Sequence, residues 1–87
     1  MSAYAINEIL RRLIHEPEFR RAVQADAAAA IATADLSAAE REAFLAGDVA
    51  MLYRTGGHPY LLAALPRYGI VGLDAATYSE RIHALAR

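Results

Sequence analysis

With 87 residues the chain makes one domain, 1–87, and at this size roughly 60–65% of the unfolded surface is buried on folding. It contains no cysteine, which excludes disulfides, thiolate chemistry and zinc–thiolate sites and makes the cytoplasm the expected home. A formal net charge of -1 supplies no field for phosphate, so no nucleic-acid partner is expected, and the apolar run Ala27 to Ala32 is too short to span a bilayer, so no membrane partner is expected either.

Ile6, Ile9, Leu10, Leu13 and Ile14 recur at three- and four-residue steps, the apolar stripe of a first helix, with Glu8, Arg11 and Arg12 opposite. Pro17 suits the first turn of a second helix, which carries Phe19 and Val23 inward and Arg20 and Arg21 outward. Asp26 can cap an alanine-rich helix over Ala27–Ala34. Ser37-Ala38-Ala39-Glu40 fits a capping box, and the helix it opens presents Phe44 and Leu45 before stopping near Gly47. Asp48 restarts a helix through Val49, Met51, Leu52 and Tyr53 that ends at Gly56-Gly57.

His58-Pro59 begins the next helix, with Tyr60, Leu61, Leu62 and Leu65 as its apolar content, and Pro66 should end or kink it. Gly69 to Leu73 reads as a loop that can hold a short extended portion at Ile70 and Val71. Asp74 caps a last helix carrying Tyr78, Ile82 and Leu85. No strand pairs and no repeat are evident. The expected fold class is all-α, a compact orthogonal bundle of about six or seven short helices.

A search for chemistry returns little. His15, His58 and His83 lack the spacing of a metal motif, and His15 and His83 read as solvent-facing helix residues. Ser2, Ser37 and Ser79 sit in no nucleophile elbow, and Gly56-Gly57 has no phosphate-loop spacing. A helix-turn-helix around Gly47 fails because the second helix, Asp48 to Thr55, carries one arginine and much apolar surface. No catalytic residue and no metal site is therefore expected in this chain.

The corner Gly57-His58-Pro59-Tyr60 is the candidate site. It sets an imidazole and a phenol beside N–H groups at a helix start, which can offer donors to an anionic ligand or a partner group. Turn chemistry alone also accounts for these residue types. If Gly57 has positive φ, Gly57→Val should harm folding.

The segment Leu36 to Leu62 resembles the small (alpha) subunit of class II extradiol ring-cleaving dioxygenases, the LigA-like family known from meta-cleaving protocatechuate dioxygenase. The resemblance rests on Ser37 to Phe44, Gly47-Asp48, Tyr53, Gly56-Gly57 and Tyr60-Leu61-Leu62, and covers about residues 16 to 68. It implies an all-helical fold, no cofactor in this chain, and Fe(II) in a larger catalytic subunit whose active-site mouth the small subunit covers. By the same resemblance Gly57, His58, Pro59 and Tyr60 form the substrate- or partner-facing corner. There His58 could hydrogen-bond a substrate carboxylate or steer protons from a second layer. A different use of LigA-like domains is implied as an alternative: a recognition part of a ribosomal peptide precursor that docks onto a backbone N-methylating enzyme. That reading expects a modifiable tail beyond the domain.

Overall fold

The computed structural model describes residues 2–83, and every regular element among them is helical. The elements run α1 (Ser2–His15), α2 (Pro17–Ala25), α3 (Ala27–Ala30), α4 (Ala38–Ala46), α5 (Val49–Arg54), α6 (Pro59–Leu62), α7 (Ala64–Arg67), a 3₁₀ turn at Ile70–Gly72, and α8 (Ala75–His83). Because α6 runs into α7 at Ala63, the two act as one bent helix, and the all-α expectation holds. Helix α1 packs against α2, α6 and α7, while α8 closes over α5 and α7.

The stripe of α1 faces inward as its spacing requires: Ile6, Ile9, Leu10 and Leu13 are buried, and Ile14 is half-buried at the edge. They meet Phe19, Val23, Ile31, Phe44, Leu52, Leu62, Leu65 and Ile70 in one contiguous core. Each such side chain contributes about 1.5–3 kcal/mol on leaving water, which matters in a chain this short. Leu45 of α4 lies outside this core. It is 36% exposed, because it lies about 100° around α4 from the buried Phe44.

Helix ends follow residue chemistry. Ser37 Oγ accepts from Glu40 N at 3.1 Å while Glu40 Oε1 accepts from Ser37 N at 2.6 Å, completing the capping box. Asp26, Asp48 and Asp74 cap α3, α5 and α8 through the N–H groups of Ala29, Met51 and Thr77. At the other ends, α4 and α5 stop in the same way. Gly47 (φ 69°) and Gly56 (φ 116°) take left-handed backbone, and Asp48 N and Gly57 N reach back to Ala43 O and Leu52 O, both at 2.8 Å.

Arginines complete the remaining ends. Arg20 donates to Leu13 O and Ile14 O at the end of α1, Arg41 to Ile31 O and Ala34 O beyond α3, and Arg81 to Ala46 O and Gly47 O beyond α4. Each arginine places its charge on carbonyls at or just past a helix end and ties two elements together. Arg20 is thus not the outward residue expected of α2: it is half-buried, and its guanidinium lies 4.1 Å from the centre of the Tyr68 ring.

Further expectations are corrected. Helix α3 ends at Ala30 rather than Ala34: Ile31 is buried in the core, and the chain beyond it tightens into three-residue turns, with Ala32 N bonding Ala29 O and Ala34 N bonding Ile31 O. The bend falls at Ala63 rather than Pro66. A proline ring clashes with the carbonyl four residues back, here Leu62, and breaking there leaves Pro66 in the first turn of α7, where its missing N–H costs nothing. Ile70 and Val71 form a 3₁₀ turn, not an extended piece, with Val71 at φ 49°. Tyr78 and Ile82 are half-buried as expected, and burial pushes the Tyr78 phenol above its ordinary value; Leu85 lies outside the described residues.

Candidate functional site

The corner between α5 and α6 is held from two sides. From within, Gly57 is buried and its N–H bonds Leu52 O; a Cβ there would lie 2.8 Å from that same oxygen. The left-handed residue is Gly56 rather than Gly57, so Gly57 is required for close approach and not for positive φ. From outside, the Asn7 carboxamide on α1 spans the turn. Its Nδ2 donates to Gly56 O at 3.2 Å, and its Oδ1 accepts from His58 N at 2.8 Å.

His58 then opens α6. Its Nδ1 accepts from Tyr60 N at 3.1 Å, so the imidazole takes the place that serine or aspartate fills at the starts of α3, α4, α5 and α8. Pro59 follows at the first helical position, where its fixed φ suits it. This corrects the picture of N–H groups left open for an anion: those of His58 and Tyr60 are used within the chain.

What the corner offers outward is side-chain chemistry. His58 and Pro59 are exposed, and Tyr60 is 72% exposed. Tyr53, on the last turn of α5, is 45% exposed. Of the four predicted site residues, then, His58, Pro59 and Tyr60 face solvent together, while Gly57 lies beneath them. Asn7 escaped the sequence reading because its bonds span 49 and 51 residues and leave no local pattern.

A second concavity lies elsewhere. A groove of about 340 Å³ runs between α1, α2 and the segment after α3, floored by Ile9, Phe19 and Ile31 and rimmed by Tyr4, Arg12 and Asp35. Arg12 is engaged there, 3.9 Å from the centre of the Phe19 ring and bonded to Glu16.

Among the described residues no three side chains of His, Asp or Glu converge to hold a metal ion, and no helix is long and apolar enough to cross a membrane. His15 and His83 are exposed, with His83 Nδ1 3.3 Å from Ser79 Oγ one turn back. The described side chains do not assemble a ligand set for a resident iron.

These features define a small helical protein with a hydrogen-bonded corner bearing exposed tyrosine and histidine, and no cluster of metal-ligating side chains among the described residues. Comparison with known families gives it a place: a family model described as the LigA subunit of the aromatic-ring-opening dioxygenase LigAB matches residues 6–78. The chain belongs to that family, the small subunit of an aromatic-ring-opening dioxygenase. The match includes all of α2 to α7, most of α1, the 3₁₀ turn and the start of α8, so Asn7 and the corner it braces both fall inside it. No curated protein and no solved structure matches the chain.

Proposed function

We propose that the chain is the accessory subunit of an extradiol dioxygenase, docking its His58–Tyr60 corner over the active-site mouth of a larger subunit that holds Fe(II). Family membership across residues 6–78 carries this reading, since it makes the chain one component of a hetero-oligomer. The corner supports the choice of surface. Exposed aromatic side chains suit a protein interface because they bury large area at low entropic cost, and the corner region carries two of them, Tyr53 and Tyr60, where the groove rim carries Tyr4. Backbone held by Asn7 and by the Gly57–Leu52 bond has little freedom left to lose on docking.

The small subunit's contribution is physical rather than catalytic. Covering the mouth excludes water, strengthens polar interactions in the pocket and holds the aromatic substrate in place. The test is to mix the purified chain with the large subunit from the same host and follow backbone amide signals of the small one. Broadening or shifts centred on residues 53–60 support the assignment. Effects centred instead on the groove residues Ile9 and Ile31 would move the interface, and the absence of any complex would refute the proposal.

A further inference from the structure

The two nitrogens of His58 have different partners, and that difference narrows what the residue can do. Nδ1 faces Tyr60 N–H at 3.1 Å and must be the acceptor of that bond. Turning the ring over would set a carbon against the N–H and leave α6 without its cap. In the neutral imidazole one nitrogen carries the proton when the other accepts, so the proton resides on Nε2. The main chain of His58 is fixed as well, through its own N–H to Asn7 Oδ1 at 2.8 Å. The side chain is exposed, so the nitrogen that remains is directed to whatever docks on the corner.

We infer that His58 is a one-sided donor: Nδ1 is spent on capping α6, and Nε2–H is offered to an acceptor oxygen, a carboxylate or carbonyl, across the joint with the catalytic subunit. This rests on the subunit reading above and makes it specific. Of the two roles open to His58, proton steering through both nitrogens is ruled out by the cap, because a relay needs Nδ1 available. Hydrogen-bond donation remains. It also explains why a histidine suits this cap position, where serine and aspartate serve elsewhere in the chain. Those short side chains end at the cap, whereas the imidazole accepts on one edge and donates from the other.

Two substitutions separate the edges. Asparagine places its oxygen close to where Nδ1 sits and has nothing at the Nε2 position; glutamine places an amide N–H near Nε2 and loses the cap. Long-range ¹⁵N spectra of the wild-type chain by itself should show the Nε2–H tautomer, and the Nδ1–H tautomer would overturn the inference. In the assembled enzyme, His58→Asn should keep the Tyr60 amide protected from exchange while weakening recognition about tenfold, the value of one hydrogen bond. His58→Gln should expose the Tyr60 amide and keep recognition within about twofold of wild type.

The source of the oxygen shows in which quantity moves. A raised KM for 3,4-dihydroxybenzoate with catechol unaffected puts it on the substrate, and a weaker subunit Kd puts it on the large subunit. Either result supports the donor role. If His58→Asn leaves both unchanged, or if both variants lose equally, the division of labour is wrong. Should the wild-type chain fail to pair at all, the subunit reading falls and takes the acceptor across the joint with it, while the tautomer is still decided on the isolated chain.

Discussion

Helices α4 and α6 are both opened by a side chain that accepts from a backbone N–H, yet they are built differently. At α4, Ser37 and Glu40 satisfy each other within three residues. At α6, the local bond from Tyr60 to His58 is half of the arrangement, and the rest comes from Asn7, 51 residues away. The capping bonds at the start of α4 are local in sequence and need no distant residue. A start that borrows from α1 ties the corner's geometry to the whole fold, which is what a docking surface needs.

Removing what the two regions share has the largest effect. Phe44, buried in the common core, should cost about 3–5 kcal/mol on Phe44→Ala and bring α4 and the corner down in one urea transition. Two separated transitions would mean that the regions fold independently. Gly57→Val comes next, because its Cβ would press on Leu52 O, a backbone atom that cannot swing aside. A loss of about 2–3 kcal/mol in thermal denaturation is expected, and Gly57→Ala should show most of it.

The comparison itself is sharpened by Ser37→Ala and Asn7→Ala. Each should cost about 1 kcal/mol, by loss of a cap and of two exposed hydrogen bonds respectively. Their distribution should differ. Hydrogen exchange should rise only in the first turn of α4 for Ser37→Ala, but at His58 and Tyr60 together for Asn7→Ala. Exchange confined to His58 would show that the His58 cap holds without Asn7. His58→Ala, for its part, should cost about 1 kcal/mol rather than nothing, since the residue is a cap.

A smaller effect is expected at Val71, a β-branched residue in left-handed backbone at φ 49°. Val71→Asn relieves that conformation, which asparagine tolerates better, but gives up the partial packing of Val71 against the core, so a net change within about 0.5 kcal/mol is expected in thermal denaturation. The smallest concerns α8. Bonds from the Thr77 hydroxyl, and then from the Thr77 N–H, hold the Asp74 carboxyl below its ordinary value of 3.8. A carboxyl so lowered adds stability above that ordinary value and loses it as pH falls through the folded value. Protection of the Thr77 amide, measured against its intrinsic exchange rate at each pH, should therefore fall in strong acid, and Asp74→Ala should remove that fall.

The same contrast explains what could be read in advance. The stripe of α1, the Pro17 start, the capping box and the Gly47 stop are patterns within a few residues, and each appears where its chemistry puts it. The role of Asn7, the inward turn of Arg20 and the early end of α3 depend on partners far along the chain. At the corner the exposed residues could be named from turn chemistry and resemblance. That Nδ1 of His58 is occupied could not, because any histidine before Pro59 reads the same whether or not it accepts from Tyr60.

The most direct measurement of the central claim is oxygen uptake with a catechol substrate by three preparations: this chain supplied with iron, the large subunit, and the two together. The account predicts nothing above background from the chain, weak uptake from the large subunit, and a marked rise on mixing. Uptake by the purified chain, or a mixture no faster than the large subunit, would contradict it.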